Sequence, residues 1–90
     1  MPIAVIPDLW SEHTGGQRLL LSDAPTLAAL LDELRRQHPG LERWLDNGRG
    51  NLPAYTHVFV GDTDARTLGD FEEPLAGDTE VRFVAEMSGG

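Results

Sequence analysis

Ninety residues are enough for one small folded domain and too few for two. The composition, 40% hydrophobic and 24% charged, is that of a globular chain. Fifteen acidic side chains against 7 basic ones, all arginine, leave a formal charge of −8. That charge repels nucleic acid and anionic membrane and favours basic protein surfaces. The absence of cysteine removes disulfides, thiolate metal ligands and thiol or persulfide catalysis by side chains of this chain. No apolar run approaches the ~20 residues of a membrane span. The start, Met1 to Pro7, lacks the positive flank of a signal peptide, so a cytoplasmic location is expected.

In chain order, Ile3–Trp10 is apolar and reads as a strand, with Pro2 and Pro7 marking an edge, a bulge or a bend. Gln17–Ser22, with Leu19, Leu20 and Leu21, reads as its partner. Thr14-Gly15-Gly16 between them supplies the positive φ of a hairpin turn. The strongest periodicity follows over Thr26–His38. Leu27, Leu30, Leu31 and Leu34 fall on one face of a helix, Thr26 or Asp23 serves as N-cap, and Arg35 and Arg36 sit in the last turn, where the helix dipole favours positive charge. Pro39-Gly40 ends it. Leu41–Leu45 reads as one short helical turn and Asp46–Thr56 as a loop rich in Gly, Asn and Pro.

His57–Gly61 alternates as a strand, with Val58 and Val60 on one side and His57 and Phe59 on the other. Gly61 to Asp64 reads as a turn, Ala65–Leu68 as a short returning strand, and Phe71–Leu75 as a 3₁₀ turn about Pro74. Thr79–Ala85 is the last strand, Val81 and Phe83 alternating with Arg82 and Val84. One helix covering one face of a mixed sheet of four to five strands is an α+β architecture, with residues 1–86 as the domain and 87–90 as a flexible tail. If Val58, Val60, Val81 and Phe83 face the helix, then Phe59, Val84 and Arg82 point outward and form a candidate docking patch; scattered surface hydrophobes are the plainer reading.

Other groupings carry little. His13, His38 and His57 share no metal-like spacing, Asp62 and Asp64 are followed by no EF-hand pattern, and no metal or bound cofactor is expected. Thr14-Gly15-Gly16 lacks the Gly-Lys of a phosphate loop. Asp70, Glu72 and Glu73 read as a solvated acidic run, and Trp10 and Trp44 as core or core edge.

The tail Met87-Ser88-Gly89-Gly90 follows the last strand directly. Two glycines have no Cβ, so they fit a narrow channel and leave the terminal carbonyl unshielded. An ionised carboxylate is a poor electrophile, so chemistry at Gly90 requires activation by another enzyme. The run Glu80 to Gly90, with the helix from Thr26 to Leu34 closing at His38-Pro39, resembles the MoaD/ThiS family of sulfur carriers, which have the ubiquitin-like β-grasp fold. Many members have a proline pair where Ala85-Glu86 stand here.

The resemblance implies that an E1-like adenylating enzyme uses ATP to activate the Gly90 carboxylate. A sulfur donor then displaces AMP to give a C-terminal thiocarboxylate, and a partner biosynthetic enzyme receives the sulfur. The chain is then a carrier and not itself an enzyme. Ile6 to Leu9 and His13 to Gln17 resemble the type used in an alternative cysteine biosynthesis, whose acceptor enzyme is pyridoxal-phosphate dependent. A molybdopterin synthase small subunit and a ubiquitin-like modifier joined to other proteins through Gly90 are the alternatives.

Overall fold

The computed structural model describes residues 1–46, 48, 52–68, 71–72 and 74–85. In chain order they form β1 (Ile3–Val5), β2 (Leu19–Leu21), α1 (Leu27–Gln37), α2 (Glu42–Leu45), β3 (Thr56–Val60), β4 (Thr63–Asp64) and β5 (Glu80–Ala85), with 3₁₀ turns at Asp8–His13, Pro39–Leu41 and Ala65–Leu68. The sheet order is β2-β1-β5-β3-β4. The β1–β5 pair is parallel and the other three are antiparallel. The last strand in the chain is therefore the middle strand of the sheet, hydrogen-bonded along both edges.

Helix α1 forms where the leucine spacing predicts it. Thr26 is the N-cap: its Oγ1 accepts the Ala29 N–H at 3.1 Å. The His38 N–H closes the last turn on Leu34 O at 2.9 Å before Pro39 stops it. Leu27, Leu30, Leu31 and Leu34 are all buried against the sheet, each side chain stabilising the fold by about 1.5–3 kcal/mol. The sheet's inner face answers with Ala4, Val58, Val81 and Phe83, and Ile6, Leu41 and Leu45 close the sides of the core.

Three sequence expectations are corrected. The first strand ends at Val5, and Asp8–His13 is a 3₁₀ turn. Pro7 holds φ at −64° and accepts the Trp10 N–H on its carbonyl at 2.9 Å. This turn carries the Trp10 ring inward, fully buried, 5.5 Å from Trp44 and 5.7 Å from Phe83. Burial of that ring outweighs continuing the strand.

The short returning strand is Thr63–Asp64, within the expected turn, and Ala65–Leu68 is helical. Asp64 decides this: its Oδ1 accepts the Arg66 N–H at 3.0 Å and its carbonyl accepts the Thr67 hydroxyl at 2.7 Å.

The described residues of Phe71–Leu75 form no 3₁₀ turn. They run alongside the start of α1, with Pro74 bridged to Thr26, Phe71 O accepting the Ala28 N–H at 2.8 Å and the Leu75 N–H reaching Pro25 O at 2.9 Å. Backbone groups near the head of α1 thus find partners outside the helix.

Arginines fix the loop after α2. Arg35 donates through Nε and Nη2 to Leu45 O at 3.1 and 2.6 Å. Arg66 Nη2 reaches the carbonyls of Pro53, Ala54 and Thr56 at 3.0, 3.1 and 3.0 Å. Gly15 and Gly16 take the positive φ values, +69° and +86°, that the turn before β2 requires.

Candidate functional site

Alternation along β5 divides its side chains between two tasks. Val81 and Phe83 point into the core and are buried, while Glu80, Arg82 and Val84 point to the uncovered face. Register then fixes their neighbours. Arg82 lies between Val5 of β1 and Phe59 of β3, and Val84 lies opposite His57. The three residues expected as a docking patch, Phe59, Val84 and Arg82, share one face and adjoin one another. Val84 and Arg82 are exposed and Phe59 is half-buried.

The apolar face extends beyond those three. Pairing of Ala4 with Leu20 and of Val5 with Leu19 turns Leu20 inward and leaves Leu19 and Leu21 outward at 65% and 67% exposure. Ile3 and Val5, both half-buried, connect these leucines to the centre of the face. Three leucines in succession on an edge strand were the available signal. Only one parity faces the helix, so whichever way Leu20 points, neighbours must point the other way. Because all three are apolar, alternation alone assigns no face to Leu19, Leu20 or Leu21.

Charge frames this surface. Arg82 Nη2 meets Glu80 Oε2 of its own strand at 2.9 Å. Asp64 pairs with Phe59 across β3 and β4. At the foot of the sheet the Met1 ammonium lies 3.1 Å from Asp78 Oδ1. Among the described residues no group of three or more His, Cys, Asp or Glu side chains is placed to hold a metal ion. Nor is any described helix long and apolar enough to cross a membrane.

The last described residue, Ala85, pairs with Thr56 at the top of β3. The tail residues Met87, Ser88, Gly89 and Gly90 lie outside the described residues. β5 is paired with β1 from Glu80 to Arg82 and with β3 from Val81 to Ala85, so its last described residues rest on β3 beside the apolar face.

No protein-family model matches the chain. The sulfur carrier protein CysO of Mycobacterium tuberculosis is 30% identical over 87 residues, which cover 94% of each chain. Its counterpart in Mycobacterium bovis matches to the same extent. The crystal structure of the M. tuberculosis CysO superposes with a TM-score of 0.84 at 27% identity, covering 97% of this chain and 100% of that one. The Amycolatopsis orientalis BexX/CysO complex contains a chain that superposes with a TM-score of 0.85 at 23% identity, with both chains covered completely. At that identity the likeness concerns the fold.

Proposed function

The chain belongs to the CysO family of sulfur carrier proteins, and we propose that it carries sulfur on its own C-terminal carboxyl group. In this reading the Gly90 carboxylate attacks the α-phosphorus of ATP within an E1-like adenylating enzyme, and pyrophosphate leaves. Sulfide, or the terminal sulfur of a persulfide, then adds to the acyl carbon and expels AMP. A persulfide donor needs a second thiol to release its sulfur; free sulfide does not. The product is a Gly90 thiocarboxylate, whose sulfur passes to an acceptor held by a biosynthetic enzyme.

The observation that carries this reading is the Gly89-Gly90 pair in the sequence, separated by Glu86, Met87 and Ser88 from the last residue of the central strand of a CysO-like fold. Small residues admit the tail to a closed site, and the ubiquitin-like sheet supplies a rigid handle. ATP is used by the partner, and this chain contributes the reacting end and a docking face of Phe59, Val84 and Arg82, extended by Leu19 and Leu21. The cysteine-type destination, with a pyridoxal-phosphate-dependent acceptor enzyme, rests on Ile6 to Leu9 and His13 to Gln17.

The test is an intact mass after incubation with an adenylating enzyme, ATP and sulfide. Exchange of one oxygen for one sulfur at Gly90 is expected, and deletion of Gly90 should abolish it with the fold intact. Pyrophosphate release followed by adducts on other proteins, with no sulfur gained, would replace the carrier with a modifier.

A further inference from the structure

The outer face of the sheet is apolar at its centre except for one ion pair on the middle strand. Arg82 lies in register with Val5 on one side and Phe59 on the other, and Val84 follows it on the same face. Among the described strand residues that point outward it is the one arginine; His57 and Asp64 lie toward the β3–β4 side. Its partner is Glu80, two residues earlier on β5, whose Oε2 accepts from Nη2 at 2.9 Å. The two side chains are 57% and 48% exposed. An exposed pair of this kind adds little to folding, so stability does not account for its place in the middle of the face. Nor does either group satisfy the other. A guanidinium has five N–H donors and a carboxylate about four acceptor sites, and among the described residues this pair makes one bond. Water takes the rest in the free chain. A partner laid over Val5, Phe59 and Val84 expels that water, and a charged group covered without new partners weakens the complex. The loss is avoided only if the partner supplies the missing acceptors and donors.

We propose that the Glu80–Arg82 pair sets which enzyme docks and in which direction, and that the partner presents a complementary pair, a carboxylate opposite Arg82 and a basic side chain opposite Glu80. This deepens the docking reading above and rests on it. The planar fork of Arg82 suits a carboxylate held by two nitrogens. A basic group opposite Glu80 suits a chain of formal charge −8. Alternate residues of a strand stand about 7 Å apart, so the two contacts lie on a line along β5. That line has a sense. Glu80 is at the foot of the sheet, opposite Ile3, and Arg82 is nearer Ala85, beyond which the tail continues. A partner matched to this order seats the strand in one direction; turned end for end, it meets like charges. The apolar side chains around the pair carry no such sense.

The test exchanges the two residues. Glu80→Arg combined with Arg82→Glu keeps the net charge, the composition, the pair within the strand and the apolar residues around it, and reverses only the order of charge. Arg82→Met removes the guanidinium and keeps apolar bulk. Both are first checked for a urea midpoint equal to the parent's. Binding of each full chain to the E1-like adenylating enzyme of the source organism is measured by calorimetry without ATP, and pyrophosphate release is measured separately with ATP. The exchanged chain should bind at least about tenfold more weakly than the parent, and Arg82→Met several-fold more weakly. Without a carboxylate opposite Arg82, removing the guanidinium relieves desolvation, and Arg82→Met binds as tightly as the parent or more tightly. That result overturns the proposal, as does an exchanged chain that binds like the parent. If exchange weakens binding but no chain releases pyrophosphate, the adenylation reading fails and the proposal stands. If parent and exchanged chain half-saturate pyrophosphate release at the same concentration, the proposal fails and that reading stands. A parent that does not bind the enzyme overturns both.

Discussion

Replacing Leu19 and Leu21 by threonine separates docking from folding. Threonine keeps strand preference, so the edge strand should persist. Both leucines keep about two thirds of their surface exposed, at 65% and 67%. Complete burial of a leucine contributes about 1.5–3 kcal/mol, so about 1–2 kcal/mol per leucine is still available to a partner. Threonine retains part of that area, which leaves an expected loss of roughly 1 kcal/mol each, or about fivefold in affinity. The stability of the free chain should move by no more than about 0.5 kcal/mol, since little of either side chain is buried on folding. The readout is the carrier concentration that half-saturates pyrophosphate release by the adenylating enzyme, set beside urea unfolding of the same samples. Each single variant should raise that concentration about fivefold and the pair by more, at unchanged maximal rate. Arg36→Ala, on the solvent side of α1 and across the molecule from the face, should leave it unchanged. If the Leu19→Thr, Leu21→Thr pair folds normally and saturates as the parent does, the outer face is not where this enzyme docks.

Two further substitutions test the packing argument. Trp10→Ala should cost about 3–5 kcal/mol. Trp10→Phe should cost distinctly less, because it keeps a ring against Trp44 and Phe83 and removes an indole N–H that is buried with no partner among the described residues. Urea unfolding followed by Trp44 fluorescence distinguishes the two, and equal costs would contradict the account of Trp10. Thr26→Ala removes the acceptor of the Ala29 N–H. It should destabilise by about 1 kcal/mol, a fall of roughly 4–8 °C in Tm by calorimetry, whereas Thr26→Asp should retain most of the parent's stability.

Elements governed by local chemistry were readable in the sequence. Helix α1 carries a four-leucine face, an N-cap and a proline stop, and each agrees with the others. The parity of β3 and β5 was equally clear, since each alternates apolar and polar or aromatic residues. What was not readable depended on the remainder of the chain. Ile3–Trp10 has apolar residues at both parities because it belongs to two elements, a strand that ends at Val5 and a turn that buries Trp10 under Phe83. Phe83 is distant in sequence, and no local pattern announces that contact. At Asp64, side-chain and main-chain hydrogen bonds convert an apparent strand into a 3₁₀ turn, a competition that hydrophobic patterning does not record. Leu19 and Leu21 required the β1–β2 register before their exposure could be assigned.

In the proposed function strand β5 joins stability and recognition in six residues and leads to the reacting tail. Its inward side chains, Val81 and Phe83, hold the middle of the core, and its outward side chains, Arg82 and Val84, hold the middle of the proposed docking face. In the proposed function the chain that continues past Ala85 is the reacting end. A partner that grips the outer face therefore grips the strand that bears the tail, with no hinge between Arg82 and Ala85 to absorb misplacement. Substitutions along β5 should then sort by parity. Those at Val81 or Phe83 act through the amount of folded carrier, and those at Arg82 or Val84 act through half-saturation by the partner. A docking site on the helix side would require the partner's hold to pass through α1 and the core before it reached the tail. The outer face reaches it through one hydrogen-bonded strand, and for the proposed presentation of the tail to another enzyme that is the stiffer route.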